Sequence, residues 1–244
     1  PLATDLLYNV AQNNFYSDVT IQDILEGRLD ISEGTRYFAK EQLPEEAWAQ
    51  ILPMVNNYTA EEFALAALLP EHEDEMKLAM ATPHTILTLV HHLLDVQPDE
   101  YVGDLCCGSG SGFVSFAMNQ PEAHYFGYEI NEERGGIARI RAELLGSNVQ
   151  VRLGDVFRLA DDKNTPRFDK MLSTYPSGTR LPYLSEGSDY MERLAEQYPG
   201  LSKATSSDWI FNALLCDLLA ESGKAIGIMT NGSTWNSIDT PMRR

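Results

Sequence analysis

The segment that most limits what this chain can fold into is Asp104-Leu105-Cys106-Cys107-Gly108-Ser109-Gly110-Ser111-Gly112-Phe113. It follows a run with strand character, Tyr101–Leu105, and opens a helical one. Closely spaced glycines let the backbone turn sharply and let a ligand approach it. The N-terminus of the helix that follows carries partial positive charge, so the turn suits an anionic group.

Three ligand classes compete for such a turn. A nucleotide-hydrolysing loop needs a lysine after its last glycine, and Phe113 stands there, which excludes it. A dinucleotide loop would begin like Gly108-Ser109-Gly110, but it wants a small residue where Phe113 lies and has no use for Asp104. S-adenosylmethionine (SAM) has no phosphate and needs no lysine. Its carboxylate suits the helix N-terminus, and its ammonium suits Asp104. Two further acids follow at strand ends. Glu129 closes Tyr125-Phe126-Gly127-Tyr128-Glu129, 25 residues after Asp104, where a carboxylate can accept both ribose hydroxyls. Asp155 follows the strand Val149–Leu153 and is placed to accept an adenine amino group. Singly, each acid is ordinarily a solvated or capping group; three at consecutive strand ends beside a glycine turn favour a nucleoside.

The surrounding pattern alternates helix and strand. Strands are expected at Tyr101–Leu105, His124–Ile130, Val149–Leu153, Phe168–Ser173 and Lys224–Thr230, with helices at Glu132–Leu145 and Asp208–Ala220 among those between them. Such alternation implies an α/β fold with a mainly parallel sheet, helices on both faces and ligands beyond the carboxyl strand ends. Thr82-Pro83 resembles an N-cap followed by proline, with Ile86, Leu89, Val90 and Leu93 along one face of the helix. Residues 1–76 lack strand character and form a helical N-terminal domain in this reading. The acidic link around Glu71–Glu75 separates it from a second domain over 77–244.

Charge restricts the partners. The chain of 244 residues has a formal net charge of −18; residues 1–80 hold 15 acidic against 4 basic residues. A chain this acidic repels phosphate backbones, so any grip on nucleic acid needs help from a basic partner or segment. Arg134, Arg139, Arg141, Arg152 and Arg158 form the densest basic run, and a solvated, salt-bridged surface is its default role. Three cysteines, two of them adjacent, exclude a disulfide framework and a Cys-ligated zinc site. Cys106 and Cys107 are expected to pack beneath the glycine turn. No signal peptide or membrane-length apolar run is visible, so no membrane association and a cytoplasmic setting are expected.

Taken together, Thr82-Pro83, the segment Asp104 to Phe113, Tyr128-Glu129-Ile130-Asn131, Gly154-Asp155 and Lys224 to Gly232 fall in an order that resembles N6-adenine DNA methyltransferases, most nearly the modification subunit of type I restriction systems. The resemblance covers roughly residues 78–244. It implies a Rossmann-like SAM-dependent methyltransferase sheet behind a helical N-terminal segment. It implies SAM as cofactor, with Gly108 and Gly110 cradling it, Cys106 and Ser109 in the same turn, Asp104 and Thr82 at its methionine part, Glu129 at the ribose and Asp155 at the adenine. No metal is implied. The implied partners are DNA, reached through a separate specificity subunit or a missing segment, and other protein subunits of a restriction–modification system.

The chain departs from the family at the catalytic motif. That motif reads Asn-Pro-Pro-aromatic after the fourth strand; the amide and the next carbonyl accept hydrogen bonds from the target amine, and the ring stacks on the flipped base. Here Thr174-Tyr175-Pro176-Ser177 occupies the position, and only Pro176 matches. Base stacking alone is worth ~1–3 kcal/mol. Two outcomes are open: a SAM-binding chain with impaired or no transfer, or a site in which Thr174 and the Tyr175 carbonyl orient the amine while Tyr183 or Tyr190 supplies the ring. Packing is the default role of both tyrosines. The family sheet normally continues with two more strands, so the expectation is a domain truncated after the fifth strand, or an edge covered by a partner.

Overall fold

A computed structural model describes residues 82–160, 162–176, 189–201 and 205–243. The expectations for residues 1–76, and for Ser177 and Tyr183, lie outside these.

Helix α1 (His84–Leu94) leads into β1 (Tyr101–Asp104), α2 (Ser111–Asn119), β2 (His124–Glu129), α3 (Glu132–Leu145), β3 (Val149–Leu153), α4 (Val156–Ala160) and β4 (Phe168–Thr174). Then come α5 (Asp189–Gln197), α6 (Ser207–Leu218), β5 (Leu219–Ile228), a short α7 (Gly232–Trp235) and a 3-10 helix, Ser237–Arg243. The five strands are parallel in the order β3-β2-β1-β4-β5. A parallel sheet of this kind is buried on both faces. On β2, Tyr125 and Tyr128 differ in parity and enter different core clusters, so the sheet divides the core in two. One cluster packs α1, α2 and α3 residues such as Leu94, Phe116 and Ala138; the other packs Phe168 and Met171 against Leu194, Ile210 and Leu214. Fully burying such a side chain contributes about 1.5–3 kcal/mol.

The order reverses beside β1: β2 and β3 lie on one side of it, β4 and β5 on the other. This is the switch point at which doubly wound sheets open a crevice beyond the strand ends. Asp104 pairs with Leu172 across β1 and β4, which sets the glycine turn beside the loop after β4.

Several local expectations change. Pro83, not Thr82, caps α1: its carbonyl accepts from the Ile86 and Leu87 amides, and no side chain caps the helix. The buried face of α1 is Leu87, Val90 and Leu94, whereas Ile86, Leu89 and Leu93 are exposed. Both stripes are apolar, and packing selects between them. β5 begins at Leu219 rather than Lys224, because Leu219 pairs with Phe168 before a register shift brings Lys224 opposite Lys170. Lys170 is buried and meets Glu100 at 3.2 Å. Among the described residues no helix is long and apolar enough to cross a membrane.

Candidate functional site

The glycine turn is closed by the Gly110 amide donating to the Cys107 carbonyl at 2.8 Å, and Gly110 (φ 92°) caps α2. A Cβ on Gly110 would run into the buried Phe113 ring, so that position excludes every side chain. Gly108 also has positive φ, 57°, but a Cβ there would meet open space. The two glycines therefore serve differently: Gly110 lets the turn pack, and Gly108 leaves its outer face bare. A Cβ on Gly112 would lie 2.7 Å from Asp104 Oδ2, so the start of α2 rides directly over that carboxyl group.

Asp104 is 7% exposed, and its Oδ1 accepts from the Cys106 amide at 3.3 Å. Burial pushes its carboxyl up to about 7; the Cys106 bond opposes this and the nearby Glu129 charge adds to it. A buried carboxyl poised there gains most from a cationic partner. Glu129 ties strand to turn: Oε2 accepts from the Gly108 amide and Oε1 from the Asn131 amide, both at 2.8 Å. A carboxylate offers about four acceptor positions, so two remain. Asp155 Oδ1 accepts from the Phe157 amide at 3.0 Å and starts α4. Cys107 is buried beneath the turn, Cys106 is half-buried, and burial pushes both thiols up. Protonated thiols of this kind are packing groups rather than nucleophiles.

Arg141 corrects the reading of the basic run as surface. It is 4% exposed, and Nη1 donates to the Ser109 carbonyl at 2.9 Å, pinning the turn from α3. Its neighbours on the buried face are small: Gly135, Ala138 and Ala142. That spacing was the available signal, since an arginine three residues after Ala138 sits on the packing face.

Across the switch point, Thr174 ends β4, and its hydroxyl lies 2.6 Å from that of Thr82. One residue assigned to the cofactor and one assigned to catalysis are thus in direct contact. Tyr175 turns inward. Its ring stacks on Phe211 at 5.2 Å, its hydroxyl donates to Asn212 Oδ1 at 2.7 Å, and its amide donates to the Ile228 carbonyl at 3.2 Å. Pro176 is half-buried. Tyr190 is 5% exposed with its hydroxyl on Asp217 at 2.7 Å, so its ring belongs to the core and is not the stacking ring. Sequence reasoning also missed Asp208. Its buried Oδ2 accepts from the Thr230 amide, the Thr230 hydroxyl and the Ser233 hydroxyl at 2.6–2.8 Å, and so fixes the turn after β5.

A reversed parallel sheet, a glycine turn after β1 and an acid at the end of β2 are features of Rossmann-like folds that hold a nucleoside, among them the SAM-dependent methyltransferases. The sequence matches the profile of the N-6 DNA methylase family over residues 62–239, and the chain belongs to that family. No curated sequence matches it. Among solved structures it is similar to a protein of Listeria monocytogenes assigned to the class I SAM-dependent methyltransferases, at 17% identity and a TM-score of 0.57 over 98% of this chain and 77% of that one. It is also similar to a precorrin-6y C5,15-methyltransferase of Geobacter metallireducens (18% identity, TM-score 0.42), covering 60% of this chain and 63% of that one. An RNA methyltransferase of Salinibacter ruber, crystallised with S-adenosyl-L-homocysteine, is similar at 22% identity and a TM-score of 0.35, over 43% of this chain and 69% of that one. At 17% identity the likeness to the Listeria protein shows the fold alone.

Proposed function

We propose that the crevice at the switch point binds SAM and that the chain is a subunit that methylates the N6 amino group of adenine in DNA. The observation that carries this is a bare turn flanked by two carboxylates: Asp104 and Glu129 end the adjacent strands β1 and β2, Glu129 holds the Gly108 amide, and Asp155 follows the next strand, β3. The polar groups fit the ligand's parts. Asp104 opposes the ammonium, the start of α2 receives the carboxylate, Glu129 has two acceptor positions for two ribose hydroxyls, and Asp155 keeps a second oxygen for the adenine amine. The bound ligand supplies an electrophilic methyl group on a sulfonium.

What the chain itself adds is position. Thr174 and the Tyr175 carbonyl stand beside the glycine turn, where they would accept hydrogen bonds from the target amine and aim its lone pair. With threonine in place of an amide, the Thr174 oxygen is shared with Thr82. Transfer is therefore slow in this reading. A second reading, a donor-binding subunit without transfer, is favoured by that same shared hydroxyl. DNA would reach the site through a separate specificity subunit or segment, and the restriction–modification setting is proposed on the same basis; the net charge of −18 supports dependence on a partner.

Calorimetry with S-adenosylhomocysteine tests the ligand: saturable one-site heat is expected, and no heat overturns the assignment. Labelled-methyl transfer to adenine-containing DNA then separates the two readings. Thr174→Asn is expected to raise transfer if the chain is a slow enzyme and to leave it at background if the chain only binds the donor.

A further inference from the structure

Aromatic rings near the carboxyl edge of the sheet are almost all consumed by packing. Among the described residues, Phe113, Phe157, Tyr175 and Tyr190 are buried, and Trp209 is half-buried with its indole N–H on the Ser233 carbonyl at 3.0 Å. Trp235 is the exception at 72% exposure, the most exposed large apolar side chain described. It closes α7, just beyond β5, the strand paired with the end that carries Thr174; Thr174 lies opposite Ile228, seven residues before Trp235.

The backbone that presents this indole is rigidly held. The Asp208 carboxylate binds Thr230 and Ser233 through three hydrogen bonds. Arg243 Nη1 donates to the Ser233 carbonyl at 3.2 Å and to the Asn236 carbonyl at 2.8 Å. The Asn236 amide closes back on the Gly232 carbonyl at 2.9 Å. Trp235 thus sits between two anchored residues, 233 and 236. A large apolar side chain left in water on a fixed backbone costs solvation and gains no packing unless something covers it. A fixed backbone removes part of the ordering cost that stacking on the ring would otherwise carry.

We propose that Trp235 is the stacking surface for the substrate's unstacked purine base, supplying the ring that Thr174-Tyr175-Pro176-Ser177 lacks. This rests on the proposed function. It makes Trp235 a specificity-determining residue for a planar heterocycle, not for the methyl donor. An indole offers the larger ring face, and base–aromatic stacking tolerates any base with a π-face. Base choice would then come from the hydrogen-bonding edge at Thr174 and the Tyr175 carbonyl.

The test uses the full chain, saturated with S-adenosylhomocysteine, and a 12-nucleotide single strand of deoxyadenosine at about 1 M salt, where the Debye length is about 3 Å and repulsion between the strand and the acidic chain is screened. Trp235→Ala is expected to weaken strand binding roughly tenfold or more, while Trp235→Phe keeps most of the affinity. Both variants should bind S-adenosylhomocysteine within about twofold of the parent and melt normally, since the side chain packs against little. On a strand with abasic sites in place of the bases, parent and Trp235→Ala should bind alike. Equal binding of the deoxyadenosine strand by parent and Trp235→Ala overturns the proposal and points to a protein contact face instead. So does a parent that binds S-adenosylhomocysteine but no strand. A parent that fails to bind S-adenosylhomocysteine overturns the functional reading itself.

Discussion

The ends of β1, β2 and β3 and the ends of β4 and β5 belong to one sheet but use their polar groups differently. In the first half the carboxylates keep capacity: Glu129 accepts two backbone bonds where about four positions exist, and Asp104 holds one long bond under Gly112. In the second half the side chains spend themselves on one another. Thr174 meets Thr82, Tyr175 meets Asn212, Tyr190 meets Asp217, and Asp208 takes three partners. Under the proposed function, the spare capacity of the first half is what a polar ligand would use. The second half is a fixed frame that offers a carbonyl, a shared hydroxyl and one exposed indole.

The largest effects should come from the turn, and its two positive-φ glycines should part company. Gly110→Ala places a methyl against the buried Phe113 ring in a backbone conformation that side chains rarely adopt. Backbone strain and forced repacking each cost about 1–3 kcal/mol, so the variant should lose about 3 kcal/mol in urea denaturation and with it donor binding. Gly108→Ala meets no atom within 4 Å. It should cost only ~1–2 kcal/mol of stability, yet bind S-adenosylhomocysteine at least tenfold more weakly, because its methyl stands where the ligand would lie. Equal losses of stability in both variants would erase the distinction between packing and cradling.

Acidity should sharpen the contrast next. Asp104 has its carboxyl raised to about 7, whereas the unfolded chain titrates near 3.8. Its protonated form therefore favours the folded state. That contribution is full below 3.8 and is lost as pH rises through about 7, so the free protein should be stabilised by this group on acidification across that window. Binding of an ammonium has the opposite preference, because it needs the carboxylate. Affinity for S-adenosylhomocysteine should fall about tenfold from pH 8 to pH 6, and Asp104→Asn should be weak and flat across that range. A parent profile as flat as the variant's would remove Asp104 from the ammonium.

How much of this was legible in the sequence follows the same division. α3 was readable to the residue, since Asn131 caps it through the Arg134 amide and Gly146 ends it. The turn and the positions of the three acids at or just past strand ends were readable, because spacing locates those ends. The frame around β4 and β5 was not. α6 runs into β5 through Leu218-Leu219-Ala220 with no glycine or proline between, so the strand's true start was hidden. The partners of Tyr175 and Asp208 lie 37 residues and 22–25 residues away, and no local pattern announces them. Arg141 fell between the two cases: its place among small residues was visible, but its charge suggested the surface.

Arg141 gives the next smaller effect. Replacing it with methionine keeps an unbranched apolar stem on the buried face of α3 and removes the donor to the Ser109 carbonyl. A hydrogen bond to a charged group contributes about 1.5–3 kcal/mol, and much of the loss should appear in the shape of the turn. Affinity for S-adenosylhomocysteine should drop about tenfold at most, with no change in its pH profile. A variant that loses stability without losing affinity would make Arg141 a core residue only.

The smallest effect tests whether the two halves communicate at all. The Thr82–Thr174 hydroxyl contact, at 2.6 Å, is the direct side-chain bond between a residue assigned to the donor and one assigned to the acceptor. Thr82→Val removes it while keeping the branched shape, and a neutral hydrogen bond is worth about 0.5–1.5 kcal/mol net. If Thr82 serves the donor, S-adenosylhomocysteine affinity should fall a few-fold. If its main work is to hold Thr174, donor affinity should stay level while methyl transfer by Thr82→Val changes, because the Thr174 oxygen is then released to accept from an incoming amine. Double substitution with Thr174→Val separates these cases. Additive effects on donor binding mean two independent halves, and a second change that adds nothing means the pair acts as one unit.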